Sequence, residues 1–549
     1  MSRNIFIHTI FLSVALIANT THAQLSAPGS QLWAQGSGIA GVAEASDGFG
    51  EALTSCDFNG DGWLDLAIGT AREDNGSDRN IGVVDVIYGS FRGYGSPGGL
   101  TSVGAQHINL ISESPPAQKD DKFGSALASG DLNGDGFCDL AIGAPFRKVG
   151  AIAEAGAVYV IYGAGAGLNV ANKQVWSQAS SGIGGNPEEG DFFGFSLAVG
   201  DFDGNGRDDL AVGAPGESIG STDGAGLVHV IYAADDPTGL TAVGNQGWFQ
   251  GGVYDGVALP GLSEEYDHFG ISMVAGDFDG NGKDDLVLGV PNENIGELND
   301  VGLIQVLYGA ENGSGLSLAG YQAFSQGFLG LLGSGEASDE FGGVLAVGDF
   351  DGNGKDDLAI GVPDEDFAAF NDGVVQVIYG KDDGSGLSTL GNQLWSEGGD
   401  IVGSPEDSDN FGSALTVGDF DGNGKNDLAI GVKYENIELL SIFNSGTVVV
   451  IYGADSGNGL SSNGNQLWHQ HGGAGGDIPG VPEKWDLFGA SLAAGDFNGN
   501  GRDDLAVGAP GQFLDSSVET GFGGEVSVIY AKDASIVPEL IFKDSFESP

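Results

Sequence analysis

The stretch Asp277-Phe-Asp-Gly-Asn-Gly-Lys-Asp-Asp-Leu286 decides the fold, because near-copies of it recur along the whole chain. The copies begin at Asp57, Asp131, Asp201, Asp277, Asp349, Asp419 and Asp496. Successive copies start 70 to 77 residues apart. The chain is therefore built from seven repeats of one long unit.

The first nine residues of each copy, here called the Asp loop, have the spacing of a calcium site. Side-chain oxygens stand at positions 1, 3, 5 and 9, and glycine at positions 4 and 6 permits a tight turn. Ca2+ takes about 6 to 8 oxygen ligands at roughly 2.3 to 2.6 Å, and position 7 would add a main-chain carbonyl. We therefore predict up to seven Ca2+ ions.

The predicted ligands are grouped by loop position. Position 1 is Asp57, Asp131, Asp201, Asp277, Asp349, Asp419 or Asp496. Position 3 is Asn59, Asn133, Asp203, Asp279, Asp351, Asp421 or Asn498. Position 5 is Asp61, Asp135, Asn205, Asn281, Asn353, Asn423 or Asn500. Position 7, the predicted main-chain ligand, is Trp63, Phe137, Arg207, Lys283, Lys355, Lys425 or Arg502. Position 9 is Asp65, Asp139, Asp209, Asp285, Asp357, Asp427 or Asp504.

The residue at position 12 separates these loops from helical EF-hands, which need a bidentate glutamate there. It is apolar in every copy: Ile68, Ile142, Val212, Leu288, Ile360, Ile430 and Val507. Each loop is therefore predicted to lead into a strand.

Each repeat carries the same landmarks in the same order. A Gln-x-Trp strand such as 393–395 comes first, then Phe-Gly as at 193–194, and then a short apolar stretch. The Asp loop, a Gly-Ala-Pro segment and a Val-x-Val-Ile-Tyr strand such as 158–162 complete the unit. Short β-branched runs bounded by Gly, Pro and Asp predict strands, four in each unit.

Seven four-stranded units predict an all-β, seven-bladed β-propeller whose inner strands are buried on both faces. An open solenoid is the alternative, and a parallel β-helix needs shorter rungs. The chain begins with an isolated Gln-Leu-Trp strand at 31–33 and ends its last repeat without one. We predict that this N-terminal strand completes the last blade and closes the ring.

The ends of the chain predict export. Residues 1–23 combine Arg3, an apolar run and a small residue before Gln24, which is typical of a secretory signal peptide. The predicted domains are this signal peptide, a propeller over 24–530 and a tail over 531–549. The tail alternates acids and aromatic residues, which suits either a sorting signal or a disordered terminus. We expect a secreted protein in the periplasm, at the cell surface or outside the cell.

The formal charge of −58 argues against nucleic-acid partners and anionic membrane surfaces. No segment after the signal peptide is apolar enough to insert into a membrane. Bound Ca2+ would relieve the repulsion among the loop carboxylates, so we expect folding and calcium binding to be coupled. The two cysteines, Cys56 and Cys138, fall at non-equivalent repeat positions, and we expect free thiols.

Phe-Gly, the Asp loop and Gly-Ala-Pro, as at 143–145, 213–215 and 508–510, together resemble the FG-GAP repeat of the integrin alpha-chain propeller. The resemblance covers roughly residues 30 to 530. It implies a seven-bladed propeller with calcium loops between the first and second strands of the blades. Integrins keep the loop in only some blades, whereas here all seven repeats have it. We expect a free-standing secreted propeller of a bacterial type.

A second acidic pattern lies outside the loops. An acid stands two residues before each Phe-Gly: Asp47, Asp121, Asp191, Asp267, Asp339, Asp409 and Asp486. A glutamate follows Gly-Ala-Pro or its equivalent in five repeats: Glu73, Glu217, Glu293, Glu365 and Glu435. These acids either form a ring that binds a cationic or cation-bridged ligand, or they bond their own turns and face solvent.

The sequence favours a binding protein over an enzyme. Hydrolase Gly-x-Ser-x-Gly, zinc His-Glu-x-x-His and phosphate-binding Gly-Lys-Ser motifs do not occur in it. We expect a monomeric adhesion or binding module whose face opposite the calcium loops takes a protein or glycan ligand. The alternative is a calcium-dependent polysaccharide lyase or other carbohydrate-active propeller enzyme, and a lyase would need a basic or tyrosine proton acceptor in the central funnel. His469 and His471 are a weaker candidate metal pair.

Overall fold

The structure is a computed structural model that describes residues 24–532, apart from 45, 76–78, 91–97, 112–115, 255–256, 329, 438–441, 471, 474–476 and 513–522. These residues form strands and turns, and no helix occurs among them. It follows that no helix in this part of the chain could span a bilayer. The predicted signal peptide, residues 1–23, and residues 533–549 of the predicted tail lie outside the described residues.

Seven antiparallel sheets form the blades, numbered here in chain order. Blade 1 contains β2 (Ala52–Cys56), β3 (Asp65–Thr70), β4 (Val83–Tyr88) and β5 (Thr101–Ile108). Blade 2 contains β6 (Leu127–Gly130), β7 (Asp139–Ala144), β8 (Ala157–Ile161) and β9 (Lys173–Trp176). Blade 3 contains β10 (Leu197–Gly200), β11 (Asp209–Ala214), β12 (Leu227–Ala233) and β13 (Leu240–Trp248). A small hairpin follows, formed by β14 (Val253–Tyr254) and β15 (Val257–Ala258).

The later blades repeat the same order. Blade 4 contains β16 (Met273–Gly276), β17 (Asp285–Val290), β18 (Leu303–Gly309) and β19 (Leu316–Phe324). Blade 5 contains β20 (Val344–Gly348), β21 (Asp357–Val362), β22 (Val374–Gly380) and β23 (Leu387–Trp395). Blade 6 contains β24 (Phe411–Gly418), β25 (Asp427–Val432), β26 (Thr447–Gly453), β27 (Leu460–His469) and the short β28 (Gly472–Gly473). Blade 7 contains β29 (Ser491–Gly495), β30 (Asp504–Ala509), β31 (Glu525–Ala531) and β1 (Leu25–Trp33).

The blades form a closed ring, as predicted. The first strand of each blade contacts the first strands of both neighbouring blades, and β29 of blade 7 contacts β2 of blade 1. The N-terminal strand β1 pairs with β31, with Trp33 opposite Val526. This pairing covers the edge that β31 would otherwise expose.

Burial differs from strand to strand within a blade. All six residues of each second strand are buried, and the third strands are nearly as apolar and buried, so these two layers form the core. The first strands are only half-buried, as in β2 and β6. The prediction that the inner strands are buried on both faces therefore holds for the second strands and is wrong for the first, because the first strands line the central channel.

A repeated side-chain clasp joins neighbouring blades and is formed by a tyrosine and a glutamine that recur in each repeat. In blade 3 the Tyr232 hydroxyl donates to Gln246 Oε1 at 2.7 Å, and Gln246 Nε2 donates to the Leu316 carbonyl of blade 4 at 2.9 Å. The Leu316 N–H donates back to the Tyr232 hydroxyl at 3.1 Å. At the ring closure Gln31 of β1 and Tyr530 bind Leu100 of blade 1 in the same way.

Cys56 and Cys138 form a disulfide between blades 1 and 2, so the expectation of free thiols is wrong. Cys138 is position 8 of its Asp loop, and its N–H donates to the carbonyl of Asp57, position 1 of the preceding loop, at 3.2 Å. In five other loops position 8 is aspartate or asparagine, and its side chain accepts a hydrogen bond from the position 1 N–H of the preceding loop, as Asp284 does from Asp201 at 2.8 Å. The residue before position 1 is then glycine, since a Cβ on Gly200 would lie 2.7 Å from the Asp284 carboxylate. Between blades 1 and 2, Cys56 stands at the glycine position and Cys138 at the position 8 aspartate, so the disulfide replaces both.

Candidate metal-binding loops and the opposite face

All seven Asp loops lie on one face of the ring, here called the loop face. Each joins the first and second strands of its blade, as β16 and β17 are joined by the loop at 277–285. Because the strands are antiparallel, the connections after the second and outer strands lie at the other end of the blade. That end is called the opposite face below.

The position 1 aspartate holds the loop in its turn conformation. In blade 4, Asp277 Oδ1 accepts hydrogen bonds from the N–H groups of Gly280 at 2.8 Å and Asn281 at 3.0 Å. Its Oδ2 accepts one from Gly282 N–H at 2.8 Å. The same three bonds form in the other six loops. The position 1 aspartate therefore gives all seven loops the same hydrogen-bonded turn.

The position 9 aspartate is buried at the base of each loop. Asp285 is fully buried, and its two carboxylate oxygens accept hydrogen bonds from Gly309 N–H at 2.9 Å and Phe278 N–H at 3.0 Å. Burial raises the pKa of Asp285 to about 8, and the nearby charges of Asp279 and Asp277 add to the rise. Burial raises the pKa at position 9 of the other loops too. A charged carboxylate at this depth is stabilised by a neighbouring cation.

In blades 3 to 6 the carboxylates at positions 1, 3 and 9 converge, with one oxygen of each lying within 4.8 Å of the others. Two oxygens bound to one ion at about 2.4 Å can be at most about 4.8 Å apart, so this separation suits a shared calcium-sized ion. The four clusters are Asp201, Asp203 and Asp209; Asp277, Asp279 and Asp285; Asp349, Asp351 and Asp357; and Asp419, Asp421 and Asp427. These loops could each hold a metal ion.

The other three loops have asparagine at position 3, and they differ from one another. In blade 2, Asn133 Oδ1 and Asp139 Oδ2 are buried without a hydrogen-bond donor, as expected for oxygens that face a cation. In blade 7, Asn498 Nδ2 instead donates to both oxygens of Asp504 at 2.9 Å. In blade 1 both oxygens of Asp65 accept backbone N–H groups at 2.9 Å, as those of Asp285 do in blade 4, but the loop has no group of three converging carboxylates. The fit to a metal ion is therefore best in blades 2 to 6.

Positions 5 and 7 are linked within each loop. In blade 4 the Lys283 N–H donates to Asn281 Oδ1 at 2.9 Å. Equivalent bonds form in the other loops, and ligation by the position 7 carbonyl stays a prediction. The position 7 side chain also packs on the position 4 glycine of the preceding loop: a Cβ on Gly280 would lie 2.5 Å from Lys355 Nζ. Sequence reasoning missed this contact, although the basic residues at position 7 of five loops were its signal.

The acids on the opposite face are mainly structural. In every repeat the aspartate before Phe-Gly accepts a hydrogen bond from the N–H three residues earlier, as Asp267 does from Glu264 at 2.6 Å. The glutamate after Gly-x-Pro or its equivalent is buried or half-buried, so the expectation that it faces solvent is wrong. Glu293 accepts a hydrogen bond from Gln250 Nε2 at 2.6 Å, and burial raises the pKa of Glu293 to about 7. The predicted turn role is thus supported for the aspartates, while the Gln–Glu pairs were missed.

Two cavities in the central channel, of about 340 and 320 Å3, are lined by the first strands. Their walls carry aliphatic side chains such as Leu53, Leu345, Leu415 and Leu492, together with serine and threonine. The residues around these two cavities include no lysine, arginine, histidine or tyrosine. They do not supply the proton acceptor that the lyase alternative requires.

Large exposed apolar side chains concentrate on the opposite face. Of the eighteen among the described residues, fourteen lie in its connections: Val42, Ile111, Phe195, Leu262, Tyr266, Leu298, Phe328, Leu332, Phe367, Phe370, Val402, Phe443, Val481 and Trp485. The other four lie on outer strands: Val103, Val175, Val243 and Leu390. Two of these four lie beside Asp loops, since Val103 lines a depression with Asp61 and Leu390 lines one with Asp351. Among the described residues, the opposite face therefore carries most of the exposed apolar side chains, but not all of them.

The candidate histidine pair stays a prediction. His469 Nδ1 donates a hydrogen bond to the carbonyl oxygen of Gln470 at 2.7 Å. His471 lies outside the described residues.

The comparisons with known proteins agree with the repeat pattern. The family model described as FG-GAP repeat matches seven segments, which together cover about half of the chain: 49–87, 123–161, 193–231, 269–307, 341–378, 411–451 and 488–529.

Individual relatives match about a third of the chain. The phosphatidylinositol-glycan-specific phospholipase D of Rattus norvegicus is 33% identical over 171 residues, which are 31% of this chain and 18% of that protein. Integrin alpha-PS5 of Drosophila melanogaster is 35% identical over 170 residues, 31% of this chain and 15% of that protein. Integrin alpha-6 of Gallus gallus is 31% identical over 173 residues, 31% of this chain and 14% of that protein. Each match spans less than a fifth of the relative's length.

Proposed function

The chain belongs to the FG-GAP repeat family, and on that premise we propose that it is a secreted, calcium-binding propeller whose opposite face binds a protein or glycan ligand. Calcium would occupy up to seven Asp loops and hold them rigid. The opposite face would then carry the ligand on a stable ring.

The observation that supports calcium most strongly is the convergence of three carboxylates in each of four loops. Oxygen-only ligand sets of this kind favour hard cations. A loop that supplies three carboxylates, an asparagine and a main-chain carbonyl suits Ca2+ better than Mg2+, which keeps several of its waters. The unpartnered oxygens of Asn133 and Asp139 extend the argument to blade 2. When bound, the ion would neutralise buried charge at position 9 and would leave the side-chain bonds of position 1 in place.

The observation that supports a binding face is the distribution of exposed apolar side chains. Phe367 and Phe370, in the connection between β21 and β22, are 52% and 61% exposed. Exposed aromatic rings beside acids are typical of surfaces that bind proteins or sugars. The strongly negative protein would favour a neutral, cationic or cation-bridged ligand.

An enzymatic role has less support from the structure. The relatives include a phospholipase as well as integrin alpha chains, so similarity alone does not separate the two classes. The two central cavities are lined by aliphatic and hydroxyl side chains, which are unsuited to taking a proton from a uronate.

The test is a glycan and surface-protein array probed with the mature protein in calcium and again in chelator. We expect binding in calcium that is lost in chelator, with no turnover of the ligand. A double variant, Phe367→Ser with Phe370→Ser, should lose the binding. The control, Val243→Ser with Leu390→Ser, changes apolar side chains on outer strands that are even more exposed, at 81% and 88%, and should keep the binding. Depolymerisation of a uronate polysaccharide would refute the binding role in favour of a lyase.

A further inference from the structure

Three buried carboxylates meet on the opposite face, where blade 5 joins blade 6. Glu397 follows β23, Asp409 precedes β24, and Glu435 follows β25. The exposed fractions of these residues are 5%, 0% and 8%, and one oxygen of each lies within 4.8 Å of the others. We propose that this cluster is a metal site separate from the Asp loops, and that it takes a hard divalent cation such as Ca2+.

The equivalent positions at the other blade junctions show why this cluster is unusual. Four junctions pair glutamine with glutamate: Gln35 with Glu73, Gln178 with Glu217, Gln250 with Glu293, and Gln326 with Glu365, at 2.5 to 2.9 Å. A fifth junction pairs Gln470 with Gln512 at 2.6 Å. In each of these an amide donates to the facing oxygen. The pairs are therefore electrostatically complementary.

The junction between blades 1 and 2 keeps this complementarity by a different change. Leu110 occupies the glutamine position and Arg147 the glutamate position. Arg147 forms a buried ion pair with Asp121, the aspartate before Phe-Gly. At this junction the glutamine's amide donor is absent, and the guanidinium of Arg147 is present as a donor instead.

At the junction of blades 5 and 6, Glu397 occupies the glutamine position, so the amide donor is lost and no other donor replaces it. Both oxygens of Glu397, Oε2 of Glu435 and Oδ1 of Asp409 are buried and have no hydrogen-bond donor. The corresponding glutamine in five of the other junctions leaves only its uncharged amide oxygen unpaired, for example Gln326 Oε1. Four unpaired carboxylate oxygens therefore face one another in this cluster.

The surroundings offer no positive charge from the protein. In the described part of the chain, no lysine, arginine or histidine forms an ion pair with the three carboxylates. Glu406 and Asp372 add further negative charge nearby. Unpaired anionic groups in a buried site are strongly destabilising unless a cation or a proton neutralises them.

The ligand types decide which cation fits. Three carboxylates and no nitrogen or sulfur ligand favour a hard, oxygen-preferring ion over zinc or copper. Gly403, with φ of 123°, lies against Glu397, and a Cβ there would be 2.2 Å from Glu397 Oε1. Equivalent glycines lie against the glutamine of other junctions, as Gly261 does against Gln250, so this packing is common to the junctions and does not select an ion. The competing arrangement is a proton shared between Glu397 and Glu435, with no metal.

The test compares the number of ions bound by three proteins. Wild type, Glu397→Gln and Glu293→Gln are equilibrated with CaCl2, freed of excess ion by gel filtration, and analysed by mass spectrometry for calcium per chain. Glu397→Gln recreates the Gln–Glu pair of four other junctions, so it should fold. Glu293→Gln recreates the Gln–Gln pair and is the matched control.

We expect Glu397→Gln to bind one ion fewer than wild type, and Glu293→Gln to bind the same number as wild type. Crystals soaked in Mn2+ should show an anomalous peak among the three carboxylates of wild type and none in Glu397→Gln. Equal ion counts in all three proteins, with no such peak, would overturn the site in favour of a shared proton. Wild type and Glu397→Gln have the same Asp loops. The difference between their ion counts therefore reports on this cluster, whether or not the Asp loops are filled.

Discussion

Replacing Asp277 by alanine separates the structural role of an Asp loop from its role as a metal ligand. In chelator the variant loses three hydrogen bonds from backbone N–H groups that water can partly replace, which costs about 1 to 3 kcal/mol. In calcium at 100 times the dissociation constant, wild type gains about 2.7 kcal/mol per occupied site. The alanine variant should lose that gain as well. Its destabilisation should therefore be about 2.7 kcal/mol larger in calcium than in chelator.

Differential scanning calorimetry measures this difference. An unfolding entropy of about 2.1 cal/mol/K per residue over the chain converts 2.7 kcal/mol into a shift of about 2 to 3 °C. The control is Asp267→Ala, because Asp267 also bonds a backbone N–H at 2.6 Å but lies on the opposite face. Its effect should be the same in calcium and in chelator. An Asp277→Ala effect that does not depend on calcium would show that the loop is a turn and binds no ion.

Three further predictions concern the scaffold. Replacing Cys56 by glycine together with Cys138 by aspartate removes a disulfide that closes 82 residues, worth about 4.5 kcal/mol in chain entropy, and adds the position 8 hydrogen bond of the other loops, worth about 1 kcal/mol. Calorimetry should show a net loss of about 3.5 kcal/mol, and an unchanged melting temperature would contradict this. Tyr232→Phe breaks the clasp to Leu316 and should cost about 1 to 3 kcal/mol in the same assay, whereas no loss would show that the clasp is dispensable. Burial raises the pKa of Glu293 from 4.5 to about 7, so Glu293 contributes stability that is fully present below pH 4.5 and is lost as pH rises through 7. In a melting series in chelator, the stability of wild type relative to Glu293→Gln should fall over that range, and a rise would contradict the argument.

The fold could be predicted because its determinants are local and repeated. The spacing from Asp277 to Asp285 specifies a loop and the strand that follows it, and seven copies specify the number of blades. The isolated strand at 31–33 gave the ring closure for the same reason, since only one blade lacked an outer strand. Burial of the first strands was misjudged because the width of the channel depends on how the blades pack, which no single repeat encodes.

The contacts between repeats were not predictable in the same way. Cys56 and Cys138 lie at different positions of their repeats, and only the packing of each loop on the preceding one brings them together. The Gln–Glu pairs join segments about 40 residues apart, on either side of a blade's first two strands, as in Gln250 and Glu293. Exceptions that occur together at two repeat positions were the available signal for the disulfide. The signal for the carboxylate cluster was a single exception, glutamate at 397 where five other repeats have glutamine.

The most direct test of calcium binding in the Asp loops is a crystal structure of the mature protein grown in CaCl2. It should show an ion in each loop of blades 3 to 6, with oxygens of positions 1, 3 and 9 at roughly 2.3 to 2.6 Å. Loops ordered as described here, with water or nothing between the carboxylates at saturating calcium, would contradict the account.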